Sequence, residues 1–94
     1  MLTPLHWASR KGHTEAMQLL IDHGADIEAK TEYGETPLQY ALCKGHTYAM
    51  RLLINSGVDI EAKDVWERTP LHVASQNGHT EAIKLLIDKG AKNN

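Results

Sequence analysis

TPLHWASRKGHTEAMQLLIDHGADIEAK, residues 3–30, decides the fold, because most of it occurs again one period later. Thr-Pro-Leu stands at Thr3, Thr36 and Thr69, a spacing of 33 residues both times. Gly-His-Thr recurs in the same register at Gly12, Gly45 and Gly78, and Leu-Leu-Ile at Leu19, Leu52 and Leu85. Gly24, Gly57 and Gly90 close the successive copies. Residues 3–35 and 36–68 agree at 19 of 33 positions, and residues 69–94 agree with the first copy at 17 of 26. The chain reads as one domain, 1–94, of two full repeats (3–35 and 36–68) and a truncated third (69–94).

Each copy has the grammar of two short helices. Thr3 is a good helix N-cap, and Pro4 suits the first turn, where a missing N–H costs nothing. Gly12 supplies the left-handed residue that ends such a helix. A second helix starts near Thr14 with Glu15 in its first turn, favourable to the helix dipole. Ala16, Leu19 and Leu20, with Met17 and Ile21, give its i, i+3, i+4 stripe. Residues 25–35 lose the helical period and carry a turn signal at Tyr33-Gly34. Helices are predicted at 4–11, 14–22, 37–44, 47–55, 70–77 and 80–88. Alone they are marginal, so each must bury its stripe against its own partner and the next copy.

A 33-residue unit with TPLH, a GH turn, LLI and GADIEAK resembles the ankyrin repeat, over essentially the whole chain. The resemblance implies an all-α fold, an α-solenoid of three stacked helix-turn-helix units with short hairpin-like loops, serving as a protein-binding module. The family's arrays resemble a ladder closed by polar capping units. Neither end unit here has that character, so their outward faces are expected to show apolar side chains. Two local departures stand out. Gln39 replaces the histidine of TPLH, which in the family resembles a polar tie between loops, and its amide can still donate and accept. Glu67 stands where Gly34 stands one copy earlier. If that position needs positive φ, the loop tip there is either strained or differently shaped.

Composition excludes several function classes. Hydrophobic residues make up 41% and charged residues 23% of the 94, and no apolar run approaches the ~20 residues of a membrane span. The first residues lack an apolar signal core of ~7–15 residues. The single cysteine, Cys43, permits no intrachain disulfide. A cytoplasmic or nuclear location is therefore expected. A net charge of −2 argues against nucleic acid as the partner, which wants a basic excess.

Chemistry has little to stand on. His13, His46 and His79 occupy equivalent positions, so helix packing spaces them in a row about 8–10 Å apart, too far to share one metal. They are expected to satisfy backbone groups at the interhelix turns. Cys43 falls on a variable helix position with no visible base or oxyanion hole. Asp26, Glu28, Asp59 and Glu61 follow the period, which points to a structural loop role. No enzyme activity, metal or cofactor is expected.

A scaffold holds its core constant and can vary its binding surface, so the variable positions are the candidates. They fall at the end of the first helix (Arg10-Lys11, Cys43-Lys44, Gln76-Asn77) and at the loop tips (Glu32-Tyr33-Gly34-Glu35, Val65-Trp66-Glu67-Arg68). The family resemblance assigns these positions to a concave groove and its fingers. The expected partner-binding residues are Glu32, Tyr33, Glu35, Val65, Trp66, Arg68, Arg10, Lys11, Lys44, Gln76 and Asn77. Tyr33 and Trp66 should project from adjacent tips about 10 Å apart. They serve either as anchors for a protein partner or as rings lying on the neighbouring loop to stiffen it. Trp7 and Tyr40, one repeat apart on the first helix, are expected to pack between units, and Tyr48 to lie on a solvated outer face. The competing reading is a scaffold segment that extends a longer array or self-associates through its uncapped end units.

Overall fold

Thr-Pro opens every first helix of a pair, and the reason is visible in the hydrogen bonds. The Thr3 hydroxyl accepts from the His6 amide at 3.2 Å, and the His6 Nδ1 accepts from the Thr3 amide at 3.1 Å. Thr36 with Gln39 and Thr69 with His72 repeat this reciprocal cap. Two orphan amides are satisfied at once, and the proline takes the position that needs no donor.

The computed structural model describes residues 2–92. Among them are six helices and no strand: α1 (Pro4–Lys11), α2 (Thr14–Asp22), α3 (Pro37–Lys44), α4 (Thr47–Asn55), α5 (Pro70–Gln76) and α6 (Thr80–Asp88). Five match the predicted bounds. The exception is α5, which ends one residue early. Its last-turn residue, Asn77, turns its side-chain amide back to the Val73 carbonyl at 2.8 Å. An asparagine that bonds the local backbone competes with helix continuation, which the lysines at the equivalent positions do not.

Helices α1, α3 and α5 pack on one another in series, and α2, α4 and α6 do the same. The stack measures 35 × 25 × 20 Å. Its core is made of equivalent residues from successive copies: Leu5, Leu38 and Leu71; Met17 and Met50; Leu53 and Leu86. With no phenylalanine, the packing rests on leucine, methionine and alanine at regular intervals.

Successive units are tied by polar contacts that repeat with the period. The far nitrogen of His6 donates to the Glu35 carbonyl at 2.9 Å, across to the next loop. Gln39 does the same one unit on, its amide reaching the Arg68 carbonyl at 3.2 Å, so the tie survives the substitution. The periodic carboxylates are structural. Asp26 accepts from the Glu28 amide, and Glu28 accepts from the Asp59 amide of the next unit at 2.7 Å. Asp59 and Glu61 repeat the pattern, with Glu61 reaching the Lys92 amide.

The histidines of the Gly-His turns behave otherwise than expected. His13, His46 and His79 form no side-chain cap bond to the helices they precede. The His79 Nε2 is buried without a hydrogen-bond partner. His46 lies instead against Gly12 of the preceding unit, and His79 against Gly45. A Cβ at either glycine would come 2.7 Å from the imidazole. These glycines are thus fixed twice, by φ of 72° and 69° and by the ring seated on them.

Candidate functional site

The loop tips are built alike from different residues. In the first, the Thr31 hydroxyl accepts from the Tyr33 and Glu35 amides at 3.1 and 3.2 Å and donates to the Glu35 carboxylate at 3.1 Å. In the second, buried Asp64 replaces it. One carboxylate oxygen accepts from the Trp66 and Arg68 amides at 2.9 and 3.0 Å. The other accepts from the Arg68 Nε at 2.7 Å and the Gln39 amide at 3.4 Å. Burial pushes the Asp64 carboxyl up. The bonds from the Arg68 backbone and side chain and the Trp66 amide, with the Arg68 charge, outweigh this and hold it below the usual carboxylate range.

The question raised by Glu67 is answered in favour of strain. Glu67 adopts φ 63°, close to the 73° of Gly34, so the tip keeps its shape. The left-handed conformation costs a non-glycine residue on the order of 1 kcal/mol. Glycine at position 34 has a further role: a Cβ there would lie 3.1 Å from the Asp64 Cα. The two tips are therefore pressed together, and the Val65 amide donates to the Tyr33 carbonyl at 2.9 Å.

That contact corrects the expected spacing of the aromatics. Tyr33 and Trp66 are not about 10 Å apart; their centroids lie 5.6 Å apart with planes 19° from parallel, a stacked pair. Helix packing sets the spacing of the helices, but the tip-to-tip hydrogen bond draws the loops closer. The rings lie against each other across adjoining loops, and 51% of Tyr33 and 56% of Trp66 stay exposed, beside exposed Val65. The Arg68 guanidinium lies 5.0 Å from the Trp66 ring centroid. It is held by Asp64 and by a 3.3 Å bond to Gln76.

The helix ends contribute two concavities. Arg10, Glu35, Tyr40, Cys43 and Lys44 line one of about 270 Å³. Trp66, Arg68 and Gln76 line another of about 440 Å³. Lys11, Glu32 and Asn77 are exposed but line neither. Glu35 is half-buried, its carboxylate shared by the Thr31 and Tyr40 hydroxyls. Burial raises the Tyr40 pKa, the Glu35 charge and hydrogen bond raise it further, and Arg10 opposes them. Burial likewise pushes the Cys43 thiol up; Arg68 opposes, Glu35 adds, and Lys44 and Arg10 oppose. The group therefore stays a protonated thiol near neutral pH, the less nucleophilic form.

Tyr40 packs between units as expected, edge-on to the His6 ring at 5.2 Å. Trp7 does not: it is exposed, with the Arg10 guanidinium 5.6 Å from its ring centroid. Tyr48 lies in solvent, as expected. The residues that sequence reasoning missed are Thr31 and Asp64, which set the shape of both tips. Their signal was present, since a threonine or aspartate at the start of a tight loop is the residue that accepts from amides further along. Among the described residues, no three His, Cys, Asp or Glu side chains are grouped to hold a metal ion, and no helix is long and apolar enough to cross a membrane.

Comparison with known proteins agrees with this architecture. The sequence profile of ankyrin repeats (3 copies) matches residues 1–64 and 31–94. One curated relative, the E3 ubiquitin-protein ligase XBAT33 of Arabidopsis thaliana, is 44% identical over 34 residues. That match covers 36% of this chain and 7% of the relative, so the chain spans a small part of that protein's length. With the profile matched over both halves, and the capped helix pairs stacked in the same register, the chain belongs to the ankyrin repeat family.

Proposed function

We propose that residues 1–94 act as one non-catalytic binding unit that captures a partner protein through its loop tips and the adjoining helix-1 ends. Ankyrin repeats are generally protein–protein interaction modules. The observation that carries the reading here is the exposed Tyr33–Trp66 stack, its rings already paired with each other. Large aromatic surface that needs little ordering on binding is characteristic of interface hot spots. Arg68 and Gln76 border it on one side, and Arg10 and Lys44 lie at the ends of α1 and α3. This gives an apolar centre with charged surroundings, suited to a polar protein face bearing one apolar anchor. Lys11, Glu32, Glu35, Val65 and Asn77 complete the proposed surface. An intracellular setting fits a chain with a single, unpaired cysteine.

The test is affinity capture by the wild type and a Tyr33→Ala, Trp66→Ala variant side by side, with circular dichroism as the control for folding. Both rings are about half exposed, so the variant should keep its helix content. Captured proteins should bind it at least about 100-fold more weakly, as loss of two anchors implies. Equal capture by a folded variant would remove the tips from the binding surface.

A further inference from the structure

A net charge of −2 conceals a separation of charge. Helices α1, α3 and α5 carry Arg10, Lys11 and Lys44 and no acid, whereas α2, α4 and α6 carry four acids and two bases. The three cations stand in the last turns of α1 and α3. A cation there favours the helix dipole, but α5 forms with none in its last turn. A first helix of this kind therefore does not require them.

Arg10 and Lys44 face one concavity of about 270 Å³, together with Glu35, Tyr40 and Cys43. Its walls come from the first two units, so it does not depend on what stands beyond either end of the chain. Arg68 acts on the same place from the second tip. Burial pushes the Cys43 thiol up, and Arg68, Lys44 and Arg10 all work against that, with Glu35 the one carboxylate on the other side. Three cations thus converge where there is a single carboxylate. That carboxylate is already engaged, since the Thr31 and Tyr40 hydroxyls donate to it. Among the described residues the ion pairs are Lys63 with Glu67 and Arg68 with Asp64, so Arg10 and Lys44 have no carboxylate partner.

We propose that the partner segment held here is an acidic peptide, its carboxylates on Arg10 and Lys44 and an apolar side chain beside them on the Tyr33–Trp66 stack. The inference rests on the reading of this surface as a protein-binding one. Neighbouring helices lie about 8–10 Å apart and an extended chain rises about 3.3 Å per residue, so acids about three residues apart match cations on α1 and α3. Such pairing gives specificity and rapid encounter more than bulk affinity. A nucleic acid fits less well. Exposed Glu32 and Glu67 stand on the tips and would repel a continuous phosphate backbone, whereas a peptide places its charges singly.

The test is selection on the 94-residue chain from a phage-displayed library of random peptides. A length of about 12 residues is enough, at about 3.3 Å each, to span the 35 Å molecule. Recovered peptides should be rich in Asp and Glu, with an aromatic or leucine side chain close by. A synthetic copy of the most frequent one is then followed by fluorescence anisotropy. Arg10→Glu with Lys44→Glu should bind it at least about tenfold more weakly, and Arg10→Gln with Lys44→Gln about threefold. Circular dichroism checks both folds. Raising salt from about 50 mM to about 500 mM should weaken wild-type binding several-fold and the Glu variant little. A single-stranded DNA of about 12 nucleotides should need at least about tenfold higher concentration than free peptide to displace it. Displacement at equal concentration would overturn the proposal in favour of a general polyanion site. Peptides that are neutral or basic, or indifferent to both charge variants, but lost on Tyr33→Ala with Trp66→Ala, would overturn it and leave the tips as the binding surface. No recovered peptide, or peptides indifferent to the tips as well, would remove this inference and the reading beneath it.

Discussion

Replacing Asp64 with alanine is expected to destabilise the chain by about 3 kcal/mol, measured by urea denaturation. The side chain is buried and accepts four hydrogen bonds: two from tip amides, one from the Arg68 guanidinium and one from Gln39. Removing it leaves the amides without their acceptor and the partly buried Arg68 without its counter-charge. The cost of such orphaned groups exceeds the net worth of the bonds themselves. Thr31 shows how the site can be rebuilt. Asp64→Thr combined with Arg68→Glu recreates the pairing of the first tip, and the double variant should cost less than about 1 kcal/mol, since the Thr31 and Glu35 pattern satisfies the same amides. The pH dependence has a definite sign. The folded-state pKa of Asp64 lies below its unfolded value, so its contribution is complete above the ordinary carboxylate range. It is lost as pH falls through the folded value. The stability difference between wild type and Asp64→Ala should therefore hold near neutrality and narrow below about pH 4.

The second large effect is in the core. Leu53→Ala should cost about 3–4 kcal/mol, because Leu53 is fully buried in the central unit and a cavity there has packed neighbours on both sides. The equivalent change at Leu20, which is only partly buried, should cost roughly half as much. This ranking follows from a stack in which each unit is stabilised by its neighbours. Equal losses at the two positions would mean that the units do not depend on one another as described.

The parts legible in the sequence are those that each unit settles within itself. Thr3-Pro4, Thr36-Pro37 and Thr69-Pro70 cap their own helices, and Gly12 and Gly45 end theirs, so helix bounds follow from nearby residues. The tie made by Gln39 was legible too, because an amide and an imidazole offer a donor at the same reach. What escaped the reading depends on contacts between units. Tyr33 and Trp66 are one repeat apart in the sequence, which implies the spacing of packed helices, but a hydrogen bond between tips brings the rings into a stack. His46 and His79 resemble helix caps until the glycine of the preceding unit is placed beneath them. Asp64 resembles any loop acid until the amides of Trp66 and Arg68 turn toward it. The tips therefore had to be seen before their rigidity, and with it their fitness as a binding surface, could be argued.

Two-dimensional NMR of the wild-type chain tests the central claim, that adjoining tips form one rigid aromatic surface. Cross-peaks between the Tyr33 and Trp66 ring protons, ring-current-shifted resonances for both, and slow exchange of the Val65 amide are expected. Random-coil shifts for the two rings, with no cross-peaks between them and a freely exchanging Val65 amide, would contradict it.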